Sequence, residues 1–212
     1  MSLRCVVFDF DGTVADTFAT TISIVNQLAP EFGFRAAADD ELDVLRDSSY
    51  KELAERLGVK MRWVPFIATR VRKEMAGSIQ RIKPIAGLPE VLGQLRGAGL
   101  ELGLFTSNSR SNVEKFLRAN ALEDFSFISS ASNLWGKERH LRSLLKRRGL
   151  TTAQAIYVGD EPRDVDACHG LSLPVVAVTW GFTSKRRLLT HQPTHVVDTP
   201  SELLHLLTQG SS

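Results

Sequence analysis

The feature that most constrains this chain is an alternation. From Gly87 onward, short apolar runs of strand length take turns with segments whose apolar residues recur at helical spacing. LELGLF (100–105), FSFI (125–128), AIYV (155–158), PVVAV (174–178) and the weaker THVV (194–197) read as strands. NVEKFLRAN (112–120), residues 137–148, RDVDACHG (163–170) and SELLHLL (201–207) read as the helices between and after them. Short links between alternating elements are the pattern of a parallel sheet covered by helices on both faces. CVVF at 5–8 adds a strand near the N-terminus, apolar at every position as burial on both faces requires. The expected fold class is α/β, a doubly wound parallel sheet with a Rossmann-like core.

That first strand runs into two acids. In RCVVFDFDGTVAD, Asp9 and Asp11 are two residues apart and point to the same side if the backbone stays extended. Asp11-Gly12 between apolar residues is also a hairpin signal, with Thr13 and Val14 as the return strand. Against a hairpin, apolar residues then recur at Phe18, Ile22, Val25, Leu28 and Ala29, which is helical spacing, with Asp16 as the simplest N-cap. The unit reads strand, tight loop, helix.

Residues 17–83 carry helical periodicity and no convincing strand, with breaks around Pro30 to Ala38, near Asp47 to Ser49 and at Gly58. They form a helical insertion, so the expected division is a core of 1–16 and 84–212 and a helical cap of 17–83.

Composition narrows the class. With 212 residues and 43% hydrophobic content, the chain can bury a substantial core. No apolar run is long enough to span a bilayer and no signal-peptide pattern opens the chain, so a soluble cytoplasmic protein with no membrane partner is expected. Two cysteines, Cys5 and Cys168, suit small buried hydrophobes better than a disulfide framework. A net charge of +2 implies no special partner. The basic cluster from Lys137 to Arg148 is interleaved with Leu141, Leu144 and Leu145, which marks an amphipathic helix with a solvated basic face and not a nucleic-acid site.

In an open parallel sheet, functional groups gather where the strands end. Those ends supply Asp9 and Asp11, then Thr106, Ser107 and Asn108, then Asp160 and Glu161 with Asp164, while Lys137 opens the helix before that last strand. Crowded carboxylates raise one another's pKa unless a cation sits among them. A hard divalent ion with oxygen ligands resolves the crowding, and Mg²⁺ is the usual one where phosphate is the substrate.

DFDGTVAD, the strand-end Thr106, Lys137 and GDEPRD, in this order and spacing, resemble the haloacid dehalogenase-like superfamily of phosphohydrolases, most closely its phosphoglycolate phosphatase-like branch with a helical cap. The resemblance implies a Mg²⁺-dependent phosphatase acting on a small-molecule phosphate ester. Asp9 would be the nucleophile that forms an aspartyl phosphate. Asp11 would be the acid that protonates the leaving alkoxide and the base that activates water. Asp160 would complete the metal site with the Asp9 carboxylate and the Asp11 backbone carbonyl, and Asp164 would support it or serve as a first-turn acid of its helix. Thr106, with the backbone N–H groups of Ser107 and Asn108, would hold the phosphoryl oxygens, though these residues are also good helix caps. Lys137 would neutralise transition-state charge, and Gly12 would let the backbone approach the phosphate. Glu161 carries no assigned role, and Asp166 is expected to face solvent.

Arg46, Ser48, Ser49, Tyr50 and Lys51 form a polar break that reads either as a substrate-facing loop or as a plain interhelical turn. Phosphonate-cleaving relatives use a cap lysine as a Schiff base but lack an acid at the position of Asp11, which sets Lys51 aside for that role. A phosphomutase on the same scaffold and a receiver-like phosphate-binding domain are the alternatives, and a monomer or homodimer is expected.

Overall fold

The structure, a computed structural model, describes residues 3–122, 124–130 and 136–209. The chain begins with β1 (Cys5–Phe8) and continues through α1 (Phe18–Phe32), α2 (Leu42–Arg46), α3 (Tyr50–Leu57) and α4 (Val64–Met75). Next come α5 (Leu88–Gly97), β2 (Glu101–Thr106), α6 (Arg110–Ala119), β3 (Phe125–Ser130) and α7 (Lys137–Arg148). It ends with β4 (Ala155–Gly159), α8 (Pro162–His169), β5 (Val175–Val178), α9 (Lys185–Thr190), β6 (His195–Val197) and α10 (Pro200–Gln209).

The strands pair in the order β3-β2-β1-β4-β5-β6, all parallel. From β1 the chain builds outward through β2 to β3, then returns to the other flank of β1 for β4, β5 and β6. The order therefore reverses between β1 and β4, and the carboxyl ends of those two strands are where an open sheet of this order is expected to take its ligand.

The apolar run of β1 is used on both faces. Val6 and Phe8 pack with Leu102, Leu104 and Val158 in one layer, whereas Cys5 and Val7 pack with Leu141, Leu144, Tyr157 and Val165 in the other. None of the four β1 residues has measurable solvent exposure. Such side chains contribute roughly 1.5–3 kcal/mol each when fully buried, which explains the absence of polar residues before Asp9. Phe10 continues the first layer with an edge-to-face contact to Phe116, centroids 5.1 Å apart. In α7, Leu141, Leu144 and Leu145 are buried, and Arg142 on the opposite face is exposed. Cys5 and Cys168 are free and buried. Among the described residues, no helix is long and apolar enough to cross a membrane.

Asp11-Gly12 does not open a hairpin. Val14 and Ala15 N–H groups both donate to the Phe10 carbonyl, and Gly12 N–H donates to the Ala15 carbonyl, closing a compact loop with no return strand. Asp16 is not the cap of α1: the N-cap position falls one residue later, on Thr17, and the Asp16 N–H donates to the Lys83 carbonyl. Ile85 N–H donates to the Val14 carbonyl, so the outgoing segment 14–16 and the returning segment 83–85 lie side by side.

The break expected from Pro30 onward starts later. Pro30 falls within α1, which runs on to Phe32 and stops at Gly33 in the left-handed conformation. Buried Leu28 and Ala29, and the edge contact of Phe32 with Trp63, hold that last turn despite the missing N–H. The helices α5 and α9 occupy stretches where no particular helix was expected.

Candidate active site

Asp9 follows the last residue of β1, and its backbone N–H donates to the Val158 carbonyl, so it continues the ladder toward β4 for one more residue. That position brings its side chain to Asp160, which follows Gly159 at the end of β4, and to Asp164 in the first turn of α8. One carboxylate oxygen from each of Asp9, Asp160 and Asp164 lies within 4.8 Å of the others. All three residues are buried.

Lys137, the first residue of α7, reaches into this cluster. Its Nζ donates to Asp9 Oδ2 at 3.0 Å and to Asp164 Oδ1. It also lies over the rings of Tyr157 and Phe105, 5.0 and 5.7 Å from their centroids. Burial works against the ammonium charge, but Asp164 and Asp9 more than offset it and its pKa ends above the ordinary lysine value.

Each acid has its own second partner. Asp160 Oδ1 accepts from Thr13 Oγ1 at 2.7 Å, and Asp160 Oδ2 accepts from the Phe182 N–H at 2.7 Å. Asp164 Oδ2 accepts from the Glu161 N–H at 3.1 Å, completing a capping box on α8. Asp164 therefore both caps its helix and pairs with Lys137. Asp11 is held by Asn108, whose Nδ2 lies 3.2 and 3.1 Å from its two oxygens.

Burial, then the neighbouring charge of Asp9, pushes the Asp11 carboxyl up to about 7 despite the Asn108 hydrogen bond. Burial raises Asp164 to about 6, with Lys137 acting in the opposite direction. Asp160 is raised well above the usual carboxylate range by burial and by Glu161, Asp164 and Asp9. The site thus concentrates more negative charge than its bonded ammonium balances. Buried carboxylate oxygens that converge to within 4.8 Å and resist ionisation form a donor set that fits a hard divalent cation.

Thr106 ends β2, is 1% exposed, and accepts from the Asn108 N–H at 2.9 Å through Oγ1. The Ser107 carbonyl accepts from Arg72 Nη1 of α4 at 3.1 Å. Asn108 is fixed further by Oδ1, which accepts from Ser109 N–H and Asn112 Nδ2. Gly12 has φ +76°, and a side chain there would run into the Asp160 carboxylate and the Phe182 ring, so this position requires glycine for close packing against the acid.

The haloacid dehalogenase-like hydrolase family model matches residues 6–178. The chain is 35% identical over 208 residues to a phosphoglycolate phosphatase of Synechococcus elongatus, with 98% of each chain covered. This chain belongs to the haloacid dehalogenase-like hydrolases. Its fold is similar to that of a predicted phosphatase from Clostridium acetobutylicum, with a TM-score of 0.81 at 21% identity over 99% of this chain and 100% of that one. A haloacid dehalogenase-like family protein from Streptococcus pneumoniae superposes with a TM-score of 0.77 at 19% identity over 96% of this chain and 98% of that one.

Within this hydrolase, the sequence-identified acids, Lys137, Thr106 and Asn108 all come to one end of the sheet. The polar break after α2 does several separate things. Ser48 Oγ donates to the Val44 carbonyl, and Ser49 caps α3 in a capping box with Glu52. Lys51 extends into solvent beside Glu55. The side chain of Tyr50 lies outside the described residues. Arg46 instead turns toward the core, donating to the Thr179 and Gly181 carbonyls. Asp166 is exposed and pairs with His191.

Thr13 and the main chain of Phe182 were not among the expected site residues. Thr13 sits inside the acid-bearing loop, where its hydroxyl could have been considered. The segment Thr179–Phe182 follows β5, so it too lies at a strand end, the one signal in the sequence that marks it.

Proposed function

We propose that this hydrolase is a Mg²⁺-dependent phosphatase acting on a small phosphate monoester of the phosphoglycolate class through an aspartyl phosphate on Asp9. The observation that carries this reading is the convergence of Asp9, Asp160 and Asp164, the first and last of them bonded to Lys137, beside an acid held by Asn108. The naming of the Synechococcus relative as a phosphoglycolate phosphatase supports the substrate class.

The carboxylates of Asp9 and Asp160 and the backbone carbonyl of Asp11 would hold Mg²⁺, with Asp164 beside them. The bound ion would supply charge stabilisation to the phosphoryl oxygens. An Asp9 carboxylate oxygen attacks phosphorus, and the bond from phosphorus to the ester oxygen breaks. Asp11, carrying a proton at a pKa of about 7, gives it to that oxygen as the alcohol leaves. The same carboxylate then takes a proton from water, whose oxygen attacks the phosphoryl group and releases Asp9 and inorganic phosphate. Thr106 Oγ1 accepts from Asn108, so its own hydrogen remains to be donated to a phosphoryl oxygen. Lys137 balances charge on Asp9 as the equatorial oxygens become more negative.

Residues 17–83 act as a cap over this site, and 1–16 with 84–212 form the core. The side-by-side passage of 14–16 and 83–85 supports that division. A cap that closes over the crevice excludes water and contacts the part of the substrate beyond the phosphate.

The test is a panel of small metabolite phosphates, phosphoglycolate included, assayed with Mg²⁺ and with EDTA in ¹⁸O-labelled water. Hydrolysis places label in the released phosphate. Phosphate transfer to substrate without label would show a mutase, and no Mg²⁺-dependent turnover of any ester would overturn the reading.

A further inference from the structure

The peptide unit joining Gly181 to Phe182 is gripped at both ends. Its carbonyl accepts from Arg46 Nη2, and its N–H donates to Asp160 Oδ2 at 2.7 Å. A peptide unit is planar, so turning it to release one partner also releases the other. A guanidinium on the oxygen polarises the unit and strengthens donation from the opposite end. No side chain could stand at Gly181, since a Cβ there would collide with the Asp160 carboxylate.

Residues 179–184 form a strap over Asp160. Trp180 Nε1 donates to the Thr13 carbonyl at 3.1 Å, and Thr13 in turn donates its hydroxyl to Asp160. The Phe182 ring packs edge-on against Phe18, centroids 5.3 Å apart. At the far end, Ser184 N–H donates to the Arg46 carbonyl at 3.0 Å, and Ser184 Oγ donates to Asp47. Arg46 also reaches the Thr179 carbonyl at 3.5 Å and lies 5.2 Å from the Phe18 ring centroid. The end of α2 therefore holds the strap at its start, middle and end.

We propose that Arg46 is a positioning residue for the metal site: by fixing the Gly181–Phe182 peptide it orients Asp160, so that the seating of the helical segment on the core sets the affinity for Mg²⁺. The inference rests on the proposed metal site. It gives the α2 arginine a role distinct from substrate contact, since its guanidinium is directed at main-chain carbonyls of the core.

The test compares wild type, Arg46→Met and Arg46→Lys. Mg²⁺ affinity is measured without substrate, by calorimetry and by the Mg²⁺-induced rise in Tm, and the Mg²⁺ concentration for half-maximal hydrolysis of p-nitrophenyl phosphate is read alongside. Partners that orient a metal ligand typically change affinity by 10- to 100-fold, and Arg46→Met is expected to weaken Mg²⁺ binding about tenfold, with Arg46→Lys recovering most of the loss. A raised KM for ester with unchanged Mg²⁺ affinity would make Arg46 a substrate contact and overturn the proposal. A lowered Tm with unchanged Mg²⁺ affinity would reduce it to a structural contact, with the same consequence. Should Arg46→Met fail to fold, Ser184→Ala loosens the far end of the strap and must shift Mg²⁺ affinity in the same direction; an unchanged value overturns the proposal. Absence of any Mg²⁺ response in wild type would instead remove the metal site itself.

Discussion

Asn108 straddles the Asp11 carboxylate, with its Nδ2 3.2 Å from one oxygen and 3.1 Å from the other. The amide is itself locked by Asn112, whose Nδ2 donates to Asn108 Oδ1 at 3.0 Å and to the Arg72 carbonyl at 3.1 Å. A donor placed in this way favours the ionised carboxylate, opposing the burial and the Asp9 charge that raise it to about 7. Replacing Asn108 with Leu removes the opposing contribution, so the Asp11 pKa rises further. The pH optimum of ester hydrolysis is expected to move to higher pH by about one unit, with a lower kcat. A pH-rate profile of the variant that overlays the wild-type profile would detach Asn108 from the acid–base step.

Asp9→Asn keeps the size of the side chain and removes the proposed nucleophile. Turnover should fall by about 10⁴-fold or more, as expected when a nucleophile is lost from a unit that acts together. Circular dichroism should remain that of the wild type, because the first strand and its core contacts are untouched. Substantial residual turnover would move the nucleophile elsewhere.

How much of this site the sequence disclosed depends on the range of each interaction. Asp9, Asp11, Thr106 and Asp160 stand directly after apolar runs, and the rule that strand ends share one edge places them together without any tertiary information. Thr13 is adjacent to those acids in sequence, yet its partner is Asp160, which is 147 residues away. The Phe182 donor is a main-chain N–H and carries no residue-type signature at all. Arg46 lies in a polar stretch that is equally compatible with a turn or a ligand loop, and only the docking of α2 on residues 179–184 decides where it points. The cap expected at Asp16 falls one residue later, on Thr17, where the chain leaves its pairing with the distant segment 83–85. Local pattern accounts for the strands and most helices, though not for α5 and α9, whereas main-chain partners and the contacts of residues 17–83 depend on packing.

Lys137→Met tests the ion-pair arrangement. Lys137 Nζ bonds both Asp9 and Asp164, and its side chain is 12% exposed. Removing one partner of a buried ion pair leaves charge without compensation, at a cost of about 3 kcal/mol at neutral pH. The loss should shrink at low pH, because Asp164 can then be protonated, and should be partly recovered by Mg²⁺. Urea unfolding of wild type and variant at two pH values, with Mg²⁺ and with EDTA, measures all of these differences. A loss that does not depend on pH would mean that only packing against Tyr157 and Phe105 had been removed.

The acidic cluster also fixes the sign of a link between pH, metal and stability. Asp11 and Asp164 have folded-state values of about 7 and about 6, and Asp160 is raised as well, whereas an unfolded aspartate titrates near 3.9. Between the unfolded and folded values the native state binds more protons than the unfolded state, so metal-free protein loses stability as pH rises through that window. The loss levels off once the folded carboxyls are ionised. A divalent cation held at Asp160 beside Asp164 would need those carboxyls ionised, so it would compete with protons below that point and offset their repulsion above it. In EDTA, Tm should therefore fall from about pH 5 to about pH 8, and the rise in Tm on adding Mg²⁺ should be larger at the alkaline end. A Mg²⁺-induced rise of equal size at both ends, with a flat profile in EDTA, would mean that Asp160 and Asp164 are not the groups that receive the ion.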